Sequence, residues 1–219
     1  MKRFFLVLAA LILPAVLQAA EREDRPHWSF EIKGGRFAPD IDNWAENYGS
    51  SYHGQYGGSL AYKLLRQVEA GIEGTYGKDT GAASAPLHGT TTGRVTFETA
   101  PLNVFVLFRG IFTEGQWIVP YGGGGWTRMY YRTEVEDQGV VRGSTDGYHA
   151  RGGLQFLLDG IDPHAASNMF NDYGIYHTYF FLEAKYVRAE IDTVASGAIP
   201  SQSVNLGGTG YFGGFLFEF

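Results

Sequence analysis

The sequence predicts an all-β protein, an eight-stranded antiparallel up-and-down transmembrane β-barrel with one short helix or loop. Segments of about nine to eleven residues, the length of a tilted transmembrane strand, alternate apolar and polar side chains with a period of two. Glycine and aromatic side chains are abundant, with 31 glycines and 16% aromatic residues. After residue 20, no apolar run is long enough for a membrane helix. A soluble β-sandwich is the alternative fold.

Residues 1–20 have the pattern of a secretory signal peptide. Lys2 and Arg3 precede an apolar run that ends in small residues before an acidic stretch. The run is only marginally long enough to span a bilayer, so a signal peptide is favoured over an N-terminal membrane anchor. We predict cleavage near Ala19 or Ala20.

The predicted mature chain has a short periplasmic leader over residues 21–27 and a barrel domain over residues 28–219. Removing Lys2 and Arg3 from the 17 basic residues leaves 15 against 23 acidic residues. This acidic balance argues against a nucleic-acid partner. The sequence has no cysteine, which excludes a lipoprotein anchor, disulfides and thiolate metal sites. We expect no cofactor.

The alternation of side chains predicts eight strands in chain order. In the first strand, Trp28 and Phe30 share one face, and Glu31 and Lys33 share the other. Pro101 inside the fourth strand predicts a bulge or a local break in pairing. The strands are predicted over residues 28–37, 55–64, 68–76, 94–108, 119–131, 148–158, 176–188 and 210–219.

The connections between these strands differ in length. Residues 65–67 form a short turn, and residues 109–116 form a moderate one. If both termini are periplasmic, the longer connections lie outside the cell. An even number of strands lets the first strand pair with the last, which removes both free edges. The four long connections cover residues 38–54, 78–93, 133–146 and 189–205.

One connection has the signals of a short helix. Asp162 and Pro163 form an N-cap residue and a first-turn proline, and Gly174 is a stop signal. We predict a short periplasmic helix that docks Met169 and Phe170 against the barrel base or the membrane interface. An irregular loop is the alternative.

The chain ends in a strongly aromatic strand. Tyr211, Phe215, Phe217 and Phe219 fall on one face, which we expect to contact lipid, and Glu218 falls on the other. The ending resembles the closing strand of bacterial outer-membrane β-barrels, where it forms the signal that the barrel-assembly machinery reads. The mature chain as a whole resembles the small eight-stranded outer-membrane barrels, such as the OmpA transmembrane domain, OmpX and OmpW. The resemblance implies export through the periplasm to the bacterial outer membrane, with outer-membrane lipid and lipopolysaccharide as partners; we expect a monomer.

Strand parity places charged side chains of both signs inside the barrel. Eight strands enclose a space only wide enough for side chains to fill, so buried charges need partners there. We therefore predict a salt-bridged plug in preference to a conducting path, and we expect Lys33 to bind Glu218 because the first and last strands are neighbours. The predicted interior charges are Glu31, Lys33, Lys63, Glu69, Glu73, Arg94, Glu98, Arg128, Arg151, Glu183, Lys185 and Glu218.

Candidates for catalysis and metal binding are weak. His53 and Ser51, with Asp40 or Asp42 as orienter, are the candidates in the first outer loop, but nucleophilic catalysis requires these groups in contact. A second candidate site is acidic: Glu134, Glu136 and Asp137 could bind Ca²⁺ or Mg²⁺, although a solvated loop is favoured. We expect no catalytic residues and no bound metal.

The favoured function is a structural or surface-interaction role in the outer membrane. The alternative is an OmpW-like conduit for small apolar solutes that opens laterally where pairing is weakest, at Pro101 or the fifth strand with Gly122–Gly125. A lipid A-modifying enzyme is a further alternative.

Overall fold

The protein is an eight-stranded antiparallel barrel in the computed structural model, which describes residues 26–41, 44–84, 91–113, 115–136, 139–192 and 203–219. The predicted fold class is confirmed. The predicted signal peptide, residues 1–20, and residues 21–25 of the leader lie outside the described residues. The strands are β1 Trp28–Pro39, β2 His53–Leu65, β3 Val68–Ser84, β4 Thr91–Arg109, β5 Ile118–Val135, β6 Gly139–Leu157, β7 His177–Asp192, the three-residue β8 Ser203–Asn205, and β9 Gly208–Glu218.

The barrel closes between its first and last strands. β9 pairs with β1 on one side and with β7 on the other, and β6 pairs with β7 to complete the circle. The short β8 adds only to the end of β7. The rim that carries Trp28 and Phe219 also carries the Arg66–Gln67 turn, and we call it the terminal rim. The opposite end is the outer rim.

Four strands continue beyond their neighbours at the outer rim. Pairing between β2 and β3 extends to Gln55 and Gly77, and pairing between β6 and β7 extends to Gly147. β3 to β6 remain paired with one another past these points. The predicted loops over residues 78–93 and 133–146 are therefore wrong, because cross-strand pairing holds most of these residues in strands. We call residues 78–84, 91–98, 132–135 and 139–146 the outer sheet.

Pro101 changes the pairing of β4 on one side only. The ladder between β3 and β4 is interrupted opposite Ala100 and Pro101, with the same register before and after the gap. β4 and β5 pair without interruption, with Pro101 opposite Met129. The predicted local break is confirmed on the β3 side, because proline has no N–H to donate, and the predicted bulge is wrong.

The glycine run of β5 does not weaken the sheet. β5 pairs continuously with β4 and β6 through Gly122–Gly125. A Cβ atom on Gly123 would lie 2.1 Å from the backbone oxygen of Val106, so the glycine permits a close approach of β4. The expectation that pairing is weakest here is wrong.

Two helices lie in the connections. α1, Trp44–Tyr48, follows β1 at the outer rim, and α2, Pro163–Tyr173, connects β6 to β7 at the terminal rim. The side chain of Asp162 caps α2 by accepting a hydrogen bond from the Ala165 N–H, and Gly174 ends it with φ 70°. The predicted helix is confirmed. No described helix has both the length and the apolar character that a membrane-spanning helix needs.

Apolar side chains form two clusters in the lumen, one towards each rim. The cluster at the outer rim includes Trp44 of α1, which closes over the strands. A second cluster lies towards the terminal rim and contains Val119, Leu157, Tyr179, Phe181 and Leu216. Between them the lumen is charged. The buried members of the outer cluster are Phe37, Trp44, Phe97, Met129, Val187, Ala189 and Leu206.

Candidate functional site

Three cations and three carboxylates meet in the middle of the lumen. They come from four strands that lie around the barrel, β1, β3, β6 and β7, so the group crosses the interior and does not follow one wall. Each side chain is at most 2% exposed. We call this group the central cluster. Its members are Glu31, Lys33, Glu73, Arg151, Glu183 and Lys185.

Glu73 is the carboxylate that joins the central cluster. Lys33 and Lys185 both donate to it, and the guanidinium of Arg151 donates at 2.8 Å. Arg151 also donates to Glu31 at 3.0 Å. Lys33 reaches Glu183 at 2.8 Å. Each cation therefore contacts at least one carboxylate, as a buried charge requires.

Neutral groups supply the remaining hydrogen bonds of these carboxylates. Ser59 donates to Glu31 at 2.8 Å, Asn103 donates to Glu73 at 2.7 Å, and the Tyr121 hydroxyl donates to Glu183 at 3.0 Å. The Arg151 guanidinium lies 4.2 Å from the centre of the Phe105 ring, a cation–π distance. The cluster is thus balanced in charge and enclosed by side chains.

A second charged group lies nearer the terminal rim. Arg109 donates to Glu218 and lies 3.9 Å from Glu69, and the Lys63 amine lies 2.5 Å from Glu218. We call Lys63, Glu69, Arg109 and Glu218 the terminal cluster. The expected Lys33–Glu218 pair is wrong: the partner of Glu218 on β1 is Ser29, whereas Lys33 lies opposite Gly214. The four-residue difference corresponds to about 13 Å along a strand.

Several interior residues were missed in the sequence. The sequence prediction places Arg109 in a turn, but in the structure it continues the inward alternation of Phe105 and Leu107 on β4. A polar chain also leads away from Asn103, because Thr127 donates to its oxygen at 2.7 Å and lies 2.9 Å from His149 Nδ1. Neutral polar side chains do not stand out in the alternation of apolar and charged residues. The hydrogen bonds from Asn103 through Thr127 to His149 therefore cannot be predicted from that alternation.

Comparison with known proteins identifies the barrel. The family model of the outer membrane protein beta-barrel domain matches residues 5–193. The chain belongs to this family. No curated protein matches the chain significantly. The outer membrane beta-barrel family places the protein in the bacterial outer membrane.

Two solved structures show the same fold at low sequence identity. The outer membrane protein OprG of Pseudomonas aeruginosa is 12% identical, with 89% of this chain and 97% of that chain covered and a TM-score of 0.56. Neisserial surface protein A (NspA) is 14% identical, with 88% and 97% covered and a TM-score of 0.52. Like these outer-membrane proteins, the chain is a small barrel.

Three predicted interior charges lie on the outside of this outer-membrane barrel. Glu98 is bound by Lys78 at 3.2 Å and by Arg132 at 3.3 Å, and Arg128 pairs with Asp146. Arg94 is exposed. The prediction that Arg94, Glu98 and Arg128 point inward is therefore wrong. The prediction assumes an apolar outside everywhere, but β4 and β5 have 19 and 18 residues, more than the roughly nine to eleven that cross a membrane. Near their outer ends the outside is polar, and Phe97 and Met129 point inward.

The closing strand presents its aromatic face outward. Tyr211, Phe215 and Phe219 are exposed and Phe217 is half-buried, while Glu218 points into the lumen. β9 also forms the seam of the barrel, where the last strand closes against the first, because it pairs with β1 along its whole length. Recognition of these four aromatic residues by the barrel-assembly machinery stays a prediction.

The candidate catalytic histidine lies in the apolar cluster at the outer rim. His53 is buried, its ring packs 5.5 Å from those of Phe37 and Trp44, and its Nε2 lies 2.9 Å from the Gln55 amide. Ser51 is exposed. No hydrogen bond joins Ser51 and His53 in the part of the chain that the structure describes. Asp40 instead accepts a hydrogen bond from Asn205, and Asp42 lies outside the described residues.

α1 covers the outer mouth with stacked aromatic rings. Trp44 stacks on Tyr48 at 4.0 Å and meets the edge of Phe97 at 5.3 Å. Burial, with a smaller contribution from Asp79, raises the pKa of the Tyr48 hydroxyl to about 12. The Tyr48 hydroxyl is therefore neutral while α1 is packed over the outer mouth.

The acidic candidate site makes contacts of its own. Glu134 pairs with Arg132 at 2.9 Å, and Glu136 accepts a hydrogen bond from the Arg94 backbone N–H. Asp137 lies outside the described residues. Among the residues that are described, no group of three or more His, Asp or Glu side chains is arranged to bind a metal ion.

Proposed function

We propose that this outer-membrane barrel is non-catalytic and non-conducting, and that it serves a structural or surface-interaction role. The central cluster carries the proposal. Its six charged side chains come from four strands around the barrel and leave at most 2% of any side chain exposed. An eight-stranded barrel has room for little more than its side chains.

The energetics of the cluster favour a permanent plug. Opening a path through the lumen would separate Glu73 from three cations, and the charges would remain unpaired until water entered to solvate them. The cluster is also neutral as a whole, so it offers no net charge that would attract one kind of ion. A fixed, neutral plug suits a barrel that anchors and displays other parts of the chain.

The outer sheet is the part that such a barrel would display. β3 to β6 have 17, 19, 18 and 19 residues, whereas crossing the membrane takes about nine to eleven. The surplus lies at the outer rim, opposite Trp28 and Phe219, and outer-membrane barrels direct their longer connections away from the periplasm. A surface-interaction role would therefore account for the extra length of β3 to β6.

Conductance tests the plug. Purified protein in a planar bilayer should give no single-channel steps, whereas the paired substitution Glu73→Ala with Arg151→Ala should give them, because it removes two large side chains of opposite charge. The variant is first shown to be folded by heat-modifiable migration. Reproducible steps from the unsubstituted protein would overturn the non-conducting role.

A shortened outer sheet tests the surface role. Asn-Gly turns placed directly after the Asp79–Phe97 and Thr133–Val141 pairs remove the projecting ends, keep the hairpin registers and leave the buried Phe97 in place. Cells that display the full barrel should adhere more strongly to protein-coated surfaces than cells that display the shortened barrel at equal abundance. Equal adherence would argue against surface interaction. An altered lipid A mass on overexpression would overturn the non-catalytic part.

A lateral conduit for small apolar solutes is the second candidate, and the Pro101 gap favours it. Beside this gap, the outside of the wall has a cleft of about 380 Å³ lined in part by Tyr76, Ala100 and Tyr130. The lumen at the outer rim is apolar. Pro101→Ala restores a backbone donor, so it should lower the uptake of an apolar solute if the gap opens. Unchanged uptake would remove this candidate.

A further inference from the structure

α2 is an amphipathic helix whose apolar side the described protein leaves uncovered. At 100° per residue, its apolar and polar side chains occupy separate halves of the helix. The apolar half consists of Ala165, Ala166, Met169, Phe170 and Tyr173. The polar half consists of His164, Ser167, Asn168, Asn171 and Asp172.

The apolar half does not pack into the barrel base. No residue of α2 is buried; Phe170 is 47% exposed and Tyr173 is 73% exposed. A soluble helix normally buries its apolar stripe against a core, which is where most of its stability comes from. Ala166 and Met169 are half-buried, so the expected docking of Met169 and Phe170 against the barrel base is not borne out as a buried contact.

The apolar half continues the lipid-facing surface of the barrel. The Phe170 ring meets the edge of the Tyr176 ring at 5.0 Å. Tyr176 precedes β7 and has the outward parity of Phe180 and Leu182, whereas Tyr179 points into the lumen. The helix is thus joined to the membrane side of the wall and not to the lumen side.

We propose that α2 lies in the membrane interface of the periplasmic leaflet, with Met169, Phe170 and Tyr173 inserted among the lipids. α2 lies at the terminal rim, which carries Trp28, Phe219 and the short Arg66–Gln67 turn, and short turns face the periplasm in this class of barrel. Aromatic side chains are enriched at that depth of a bilayer, and amphipathic helices bind there with their apolar face down. The partner is the phospholipid surface.

Spin labelling tests this placement directly, because the chain has no native cysteine. A nitroxide is attached to Phe170→Cys or Tyr173→Cys, and for comparison to Asn168→Cys on the polar half, in full-length protein reconstituted into phospholipid vesicles. Asn168 is a suitable control because it is exposed in the structure, as Tyr173 is. Heat-modifiable migration confirms that each labelled barrel is folded.

Collision rates with two relaxation agents give the result. The labels at positions 170 and 173 should collide preferentially with oxygen, which concentrates in the bilayer, and the label at 168 with a water-soluble nickel chelate. A several-fold difference in the ratio of the two rates between 173 and 168 supports insertion. Equal, water-like ratios at all three positions would overturn it, and so would low collision rates with both agents at 170 and 173, which indicate burial against protein.

Discussion

The guanidinium of Arg109, at the end of β4, donates a hydrogen bond to Glu218, the last residue of β9. The contact crosses the lumen, because β9 is bonded to β1 and β7 and not to β4. Lys63 of β2 shares the same carboxylate at 2.5 Å. The end of the chain is therefore fixed twice, by the backbone ladder of the seam and by charges from the far wall.

Removing Arg109 should weaken the barrel more than removing a surface arginine. Arg109→Met leaves Glu218 with one cation and Glu69 with a hydroxyl donor, so we expect a loss of about 3 kcal/mol in the free energy of unfolding. Arg128→Met breaks only an exposed pair that solvent screens, so its loss should be much smaller. Urea unfolding in lipid vesicles measures both. Similar losses would contradict a structural role for the crossing contact.

The central cluster should show coupling between its charges. Glu73→Gln leaves three cations facing two carboxylates and should cost about 3 kcal/mol or more. Lys185→Met alone leaves an excess carboxylate. The double variant restores equal numbers, so its loss should fall below the sum of the single losses by about 1–3 kcal/mol. Additive losses in the same urea assay would show that the pair does not interact.

Strand parity is sufficient to predict most of the side chains that point into the lumen, but not which of the charged ones pair with one another. Glu31 and Lys33 lie inside because they alternate with Trp28, Phe30 and Ile32. Which charges meet depends on how the strands are staggered around the barrel, and alternation within one strand contains no such information. That is why Lys33 binds Glu73 and Glu183 on the next strands but one, β3 and β7, although Glu218 is on the neighbouring strand.

Parity failed where the solvent changes along a strand. On β4, the apolar side chains of Leu102, Val104 and Val106 point outward, and the same alternation puts Glu98 outward. A rule that places every polar side chain inside the barrel therefore exchanges the inward and outward faces of this part of β4. The helix α2 was predictable for the opposite reason, because Asp162, Pro163 and Gly174 act locally.

The cap at the outer mouth should make stability depend on pH in the alkaline range. The pKa of Tyr48 is raised from 10.0 to about 12, so between these values the folded state keeps a proton that the unfolded chain loses. The contribution of Tyr48 is therefore complete below pH 10 and is lost as the pH rises towards 12. Tyr48→Phe should remove this part of the decline. Its free energy of unfolding, measured against pH beside the unsubstituted barrel, checks this.

Trp44→Ala tests whether the stacked indole ring helps to raise the pKa of Tyr48. The pKa of Tyr48 is raised mainly by burial, and the indole that stacks on it at 4.0 Å provides part of that burial. In the Trp44→Ala barrel, Tyr48→Phe should therefore change the free energy of unfolding between pH 10 and pH 12 by less than it does in the unsubstituted barrel. An unchanged difference would mean that Trp44 does not protect the hydroxyl.

The glycines of β5 should differ from lipid-facing glycines in their tolerance of a side chain. A Cβ on Gly125 would lie 1.9 Å from the Val104 oxygen and 2.9 Å from the Phe105 Cα, and both are backbone atoms that cannot move without moving β4. Gly125→Ala should therefore cost about 1–3 kcal/mol, as overpacking does. A Cβ on Gly74 meets nothing within 4 Å. Gly74→Ala should be neutral or stabilise by up to about 1 kcal/mol, because alanine loses less backbone entropy. Urea unfolding of the two variants in the same vesicles decides, and equal effects would mean that the close approach of β4 to β5 does not require glycine.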